Sequence, residues 1–254
     1  MENWALITGA STGIGYELAR LFAADRFNVA LVARDEARLK ALAARLREEH
    51  RIETRVLARD LSQRDTPAQL FESLRDTPIS ALVNNAGFGW QGPFLETELS
   101  RSVDMLKVNV ESLVELTYLF ARPMVARGQG RVLNVASTAA FQPGPFTAMY
   151  YASKAFVFSF SVALGEELRG TGVTITTLCP GFTRTEFHER ARMVRASKWF
   201  RMMPAETVAR IGYEGMKRGK GVIVPGLMNK LTSSIARRLS AGFTAKIVRR
   251  INGH

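Results

Sequence analysis

Tyr150 and Lys154 stand four residues apart in a stretch of helical periodicity, so their side chains leave one helix face a single turn apart. An ammonium beside a phenol favours the phenolate and draws a tyrosine pKa down from about 10 toward working pH. A tyrosine tuned this way can donate a proton to a carbonyl or take one from an alcohol. Tyr151 adjoins the pair but has no lysine at i+4, so it is expected to pack or to line the pocket. Alone, a Tyr-x-x-x-Lys spacing is common on helix surfaces and decides nothing.

A second chemical feature lies near the N-terminus, in Thr8-Gly9-Ala10-Ser11-Thr12-Gly13-Ile14-Gly15. Gly9, Gly13 and Gly15 permit a tight turn and let the backbone come close to a pyrophosphate. The helix that starts there offers unpaired N–H groups and the positive end of its dipole. The spacing is G-x-x-x-G-x-G, and its place between a strand and a helix is what makes it a binding signal. The next strand ends in Ala33 and Arg34. A guanidinium there can pair bidentately with an adenosine 2′-phosphate and stack on adenine, which favours NADP(H) over NAD. Asp35 is the counter-signal: it either caps the following helix or accepts from a ribose diol.

These residues need a scaffold of alternating strands and helices, and the chain supplies one. Apolar runs read as strands at Trp4–Thr8, Asn28–Ala33, Glu53–Ala58, Ala81–Asn84, Arg131–Ala136, Thr174–Leu178 and Val222–Val224. Helical periodicity falls between them at about 14–25, 36–50, 66–76, 98–127, 150–169 and 205–218. The expected fold is α/β: a Rossmann-type, doubly wound, seven-stranded parallel sheet with helices on both faces. Residues 1–225 form one catalytic domain, and 226–254 a basic amphipathic helical tail.

The whole chain of 254 residues carries a net charge of +12, and its location is informative. Residues 1–181 hold 19 basic and 19 acidic residues, whereas 182–254 hold 16 basic and four acidic. A neutral body with a basic end speaks against a nucleic-acid-binding protein, whose basic surface would be broader. The single cysteine, Cys179, cannot form an internal disulfide, which suits a reducing compartment. With no signal-like N-terminus and no apolar run of about 20 residues, a cytoplasmic protein is expected, with a seat at a membrane surface left open. No His/Cys/Asp cluster has metal-ligand spacing, so no metal is expected.

Thr8–Gly15, Asn84-Asn85-Ala86-Gly87, Asn109, Ser137, Tyr150-Tyr151-Ala152-Ser153-Lys154 and Pro180-Gly181 resemble, in order and spacing, the short-chain dehydrogenase/reductase family. The likeness runs over about residues 3–224 and is nearest to bacterial NADP-dependent 3-hydroxy-acid dehydrogenases and 3-oxoacyl reductases. It implies a catalytic group of Asn109, Ser137, Tyr150 and Lys154. Tyr150 would be the general acid/base, and Lys154 would bind the nicotinamide ribose and hold the tyrosine pKa down. Ser137 would hydrogen-bond the substrate oxygen, and Asn109 would hold a relay water. Cofactor contacts would come from Gly9, Ser11, Gly13, Ile14, Gly15 and Arg34, then Asp60 and Leu61 at the adenine. Asn84, Ala86 and Gly87 would pass the adenosine ribose, and Pro180, Gly181, Thr183 and Thr185 the carboxamide and pyrophosphate. Each position also has a plain structural reading: strand-end turn chemistry for Ser137, a strand terminus for Asn84, a helix cap for Asp60. Ala140, Thr183 and Thr12 depart from residues the family often carries.

The resemblance also implies a lid at about 186–203. Its Phe187, Met193, Trp199, Phe200, Met202 and Met203 are interspersed with Arg190, Arg192, Arg195, Lys198 and Arg201. A cation-rimmed apolar lid suits a hydrophobic or acyl-type carbonyl, with a steroid or other bulky ketone as the alternative, or a catalytically silent NADP-binding regulator. Long apolar helices at 98–127 and 150–169 point to a homodimer or homotetramer. In the tail, Leu227, Leu231, Ile235, Leu239, Phe243, Ile247 and Ile251 recur every fourth residue, with six cations and no anion between Leu227 and Ile251. Either this row meets an acidic membrane surface, or it folds over the pocket or between subunits, with a break near Gly242.

Overall fold

A computed structural model describes residues 3–193 and 202–253. Six strands share the central sheet with a short seventh: β1 (Trp4–Thr8), β2 (Asn28–Ala33), β3 (Thr54–Ala58), β4 (Ile79–Asn84), β5 (Gly130–Val135), β6 (Val173–Leu178) and β9 (Val222–Ile223). Their order is β3-β2-β1-β4-β5-β6-β9, and every pairing is parallel. A pair of two-residue strands, β7 (Thr183–Arg184) and β8 (Met203–Pro204), stands apart from it. The order reverses between β1 and β4, where a doubly wound sheet opens its binding crevice at the carboxyl ends of the strands.

β1 shows why such strands read as continuous apolar runs. Ala5 and Ile7 face one core layer with Leu18 and Phe22 of α1 (Gly13–Ala24), Leu39 of α2 (Glu36–His50) and Val208 of α8 (Ala205–Lys217). Trp4 and Leu6 face the other, with Leu70 of α3 (Thr66–Ser73) and Leu116 and Phe120 of α5 (Ser112–Ala126). Both faces are covered, so no position on the strand can be polar without a partner.

The expected helix over 98–127 is not continuous. α4 (Leu99–Leu106) gives way to a π turn at Lys107–Glu111 before α5 begins. The wider turn swings the Asn109 side chain inward, where it is fully buried. α6 (Ala148–Glu167) carries Tyr150 and Lys154, and the short α7 (Phe187–Arg190) follows β7. Of the expected lid, Arg195, Lys198, Trp199, Phe200 and Arg201 lie outside the described residues.

The tail forms α9 (Leu227–Arg238) and α10 (Ala241–Asn252). The break falls at Leu239–Ser240, earlier than Gly242, because the Ser240 hydroxyl caps α10 by accepting from Phe243 N. The helices pack on the domain, but not through the apolar row. Leu227, Leu231, Ile235, Leu239, Phe243 and Ile247 are exposed, while Ser233, Thr244, Val248 and Asn252 are buried. The alternative in which this row folds over the pocket is therefore corrected: α9 and α10 meet the body mainly through polar side chains, with Val248 beside them. The larger apolar side chains are left outside.

Candidate active site

The glycine loop is built for close backbone approach. Gly9 and Gly13 have φ of +65° and +59°, the left-handed region open to glycine. A side chain on Gly15 would meet the Gly9 carbonyl oxygen at 2.3 Å, so the loop folds tightly on itself. Thr12 precedes α1 without capping it by its side chain, leaving first-turn N–H groups of that helix for an anion. Ser11 and Ile14 are half-buried in the loop, and Ile14 also packs on the core. The Thr185 methyl stands 2.9 Å from where a Gly13 side chain would be, bringing the segment after Pro180-Gly181 to the loop. This cradle fits a dinucleotide pyrophosphate.

Asn85 and Thr8 hold the loop, and neither was singled out for that from sequence. Asn85 Nδ2 donates to the carbonyls of Thr8 (3.0 Å) and Gly9 (3.2 Å), and the Thr8 hydroxyl accepts from Asn85 N and Ala86 N at 3.0 Å each. Asn84 behaves differently from expectation. Its side chain is buried away from the crevice and donates to Thr117 Oγ1 and Asn134 Oδ1, both at 2.9 Å. Its register partner on β5 is Asn134, so strand pairing commits the amide to an interior network that continues to Ser161. Its side chain is a structural group.

At the β2 end Arg34 is exposed, free to face a phosphate, and Asp35 accepts from Arg38 N at 3.0 Å as the cap of α2. Capping is thus the role that its hydrogen bond shows for Asp35. Arg59 steps off β3 beside Arg34, with Ala33 and Ala58 in register and Arg59 N donating to the Ala33 carbonyl at 3.0 Å. It follows a strand end just as Arg34 does. Asp60 accepts from Ser62 N at 2.9 Å in a local turn and borders an open cleft of about 540 Å³ with Arg59, Gln63 and Arg64. Leu61 is buried, and its carbonyl accepts from the Ser112 hydroxyl at 2.7 Å.

The π turn, β4 loop and α6 converge on one cluster. Asn109 accepts from Phe88 N (3.0 Å) and donates to Phe88 O (2.9 Å) and to Ser153 Oγ (3.0 Å). A side chain on Gly87 would meet Asn109 Oδ1 at 3.0 Å and Lys154 Nζ at 3.3 Å, so glycine lets this loop pass close to both without displacing them. Lys154 Nζ donates to the Val135 carbonyl at 2.9 Å. Ser137 accepts from Ala139 N at 3.1 Å and donates to the Pro180 carbonyl at 3.4 Å, which ties it to Pro180-Gly181. Thr183 in turn donates to the Gly181 carbonyl at 3.0 Å.

Tyr150 hydrogen-bonds the Ser137 side chain. Burial pushes its phenol up to about 12, against a smaller downward pull from Ser137. Lys154 was expected to hold this pKa down, but its Nζ is turned to Val135 and lies 6.0 Å from the Tyr150 ring centroid. The lysine itself is pulled down to about 8 by burial. Desolvation dominates both groups and leaves a protonated phenol, an acid for a carbonyl oxygen, beside an ammonium that readily loses charge. Tyr151 is a packing residue: it hydrogen-bonds Asn252 of α10 and fills the space beside Gly144.

Over Tyr150 lies an apolar wall. The Phe187 ring centroid is 5.5 Å from that of Tyr150, and Met193, Met105, Met149 and Trp90 complete the cluster. Arg101 and Arg192 stack on the Trp90 ring at 4.0 and 4.3 Å.

Comparison with known proteins agrees with this geometry. Residues 3–195 match the family model described as short chain dehydrogenase. A very-long-chain 3-oxoacyl-CoA reductase of Laccaria bicolor is 37% identical over 179 residues, 69% of this chain but 53% of the relative, so the chain spans about half of that protein's length. A short-chain dehydrogenase from Sphingobium yanoikuyae, solved with NADPH, superposes with a TM-score of 0.84 at 32% identity, covering 96% of each chain. The bulky-bulky ketone specific alcohol dehydrogenase of Comamonas testosteroni does so at 0.80 and 30% identity, covering 96% of this chain and 94% of its own. With a tyrosine, lysine, serine and asparagine gathered at the mouth of a glycine-lined dinucleotide crevice, and with three quarters of its length matched, the chain belongs to the short-chain dehydrogenase family.

Proposed function

We propose that the protein is an NADP(H)-dependent oxidoreductase acting on the carbonyl or secondary alcohol of a hydrophobic or acyl-type substrate. The observation that carries this reading is the Tyr150–Ser137 hydrogen bond beneath the Phe187–Met193 wall. A substrate carbonyl oxygen entering there takes the Ser137 and Tyr150 hydroxyls as donors, and Tyr150 passes it a proton. When bound, a nicotinamide supplies or accepts the hydride. The glycine loop and the α1 N-terminus would hold its pyrophosphate, and Lys154 beside Gly87 would hold the ribose. Asn109 is a positioning residue that fixes Phe88 and Ser153, and the wall keeps water from the reacting carbon.

Preference for NADP rests on Arg34 together with Arg59, since Asp35 is engaged as a helix cap. The apolar wall, with exposed Arg190 and Arg192 nearby, suits an acyl chain on an anionic carrier, the substrate class named for the fungal relative. A bulky ketone is the second reading, favoured by the likeness to the Comamonas enzyme over nearly the whole chain. Exposed Leu99, Val103 and Leu106 on α4, Tyr118 on α5 and Phe156 and Val162 on α6 support a symmetric homo-oligomer through these helices. Steady-state assays of 3-oxoacyl thioesters, bulky ketones and the matching alcohols with NADPH and NADH test the reading. Turnover of thioesters with NADPH is expected. Inactivity toward every ketone despite NADPH binding overturns it and leaves a silent NADP-binding protein.

A further inference from the structure

The tail helices are inside out. In α9 the residues nearest the body are Asn229, Ser233 and Ala236; in α10 they are Thr244, Val248 and Asn252. These contacts are specific. Asn229 stands within 2.6 Å of where a Gly181 side chain would be, and Arg237 lies 4.1 Å from the Phe141 ring centroid. Asn252 donates to the Pro145 carbonyl and to Thr147 Oγ1, both at 3.1 Å, and its own carbonyl accepts from Gln91 Nε2 at 2.8 Å. The docking is therefore built, and it leaves the large side chains outside: Leu227 is 80% exposed, Leu231 52%, Ile235 49% and Phe243 52%. A helix lying on a globular body normally buries its apolar stripe, so a stripe held outward marks a surface for a partner.

Charge selects the partner. Lys230, Arg238, Lys246, Arg249 and Arg250 are exposed around the stripe, and no Asp or Glu occurs from residue 215 to the end of the chain. A second copy meeting this face across a two-fold axis would set cations against cations with no anion on either side. A surface offering both apolar depth and negative charge matches it: an anionic lipid bilayer. We propose that α9 and α10 lie on an anionic membrane surface through Leu227, Leu231, Ile235, Leu239, Phe243 and Ile247, with the flanking cations on lipid headgroups. Because Asn229 sits at Gly181 and Asn252 at Thr147, this seat turns the segments bordering Tyr150 and Ser137 toward the bilayer, where an apolar substrate would be held. The proposal does not depend on which carbonyl the enzyme reduces.

Co-sedimentation with vesicles tests it, using the full chain and a Leu231→Ser/Ile235→Ser/Phe243→Ser variant. The parent should bind phosphatidylglycerol–phosphatidylcholine vesicles, bind phosphatidylcholine alone weakly, and release as salt rises. The triple variant should lose affinity at least about tenfold while keeping its melting temperature and its sedimentation coefficient. If that variant does not fold, Lys230→Gln/Lys246→Gln/Arg250→Gln should remove the preference for phosphatidylglycerol. A parent that ignores both vesicles, or a triple variant that binds as the parent does, overturns the proposal. So does a parent oligomer that the triple variant dissociates, which would assign the stripe to a second copy.

Discussion

Asn109 donates its side-chain amide to the hydroxyl of Ser153 at 3.0 Å, and that hydroxyl donates to the Tyr150 carbonyl at 2.7 Å. The π turn is thereby fastened to the helix that carries Tyr150, one residue from Lys154. The same asparagine pairs with both backbone groups of Phe88, so three segments meet at one amide.

Replacing Asn109 by Ala should remove the partners of both Phe88 backbone groups and one partner of the Ser153 hydroxyl, in two other segments. Loss of about 2–4 kcal/mol of unfolding free energy is expected, with a fall in kcat larger than any rise in KM. Ser153→Ala, which removes fewer bonds, should cost about 1 kcal/mol. Denaturant titration of both variants measures the difference, and equal losses would show that Asn109 acts through Ser153 alone.

Tyr150→Phe should abolish turnover and leave NADPH binding intact, since only the transferable proton and one bond to Ser137 are lost. Tyr151→Phe should keep activity and lower stability by about 1 kcal/mol through its bond to Asn252. Fluorescence titration with NADPH alongside assays separates the two, and the reverse pattern would mean the roles are exchanged.

Lys154 is buried with its pKa pulled from 10.5 to about 8. Between those values the unfolded chain binds more protons than the folded one, so stability should rise with pH across that window. Tyr150 acts oppositely above 10, because its phenol, raised to about 12, keeps its proton longer when folded. Lys154→Met should remove the rise. At pH 7 it should stabilise the cofactor-free protein by about 1–3 kcal/mol while destroying activity, the gain being reduced by the orphaned Val135 carbonyl. Urea melts from pH 7 to 10 decide the matter; an unchanged slope in the variant would mean that Lys154 titrates normally.

Arg34→Ala should weaken NADPH by about 1.5–3 kcal/mol and NADH by much less, because a charge-assisted phosphate contact is lost. Arg59→Ala should act in the same direction with smaller size. Dissociation constants for both cofactors check this, and equal weakening of NADH would remove the arginines from phosphate recognition.

The scaffold was legible in the residues. β1 and β2 fall at the bounds their apolar runs indicated, since strands buried on both faces cannot hide that pattern. The glycine loop and the Tyr150–Lys154 spacing were legible too, because positive φ and a helical turn are local requirements. What only the tertiary structure decided were relations between segments far apart in sequence. Asn84 and Asn85 look alike as neighbours, yet the pairing of Asn84 with Asn134 on β5 turns one amide inward, while the other holds Thr8 and Gly9. The π turn at Asn109 depends on partners at Phe88 and Ser153, which no helical periodicity reports. Tyr150 takes its pKa from burial under Phe187 and Met193 more than from the lysine one turn away, since desolvation is set by everything packed around a group. The tail states the division most sharply. Its every-fourth-residue row is written in the chain, but which face turns inward follows from what Gly181, Phe141 and Thr147 accept, and they accept small and polar groups.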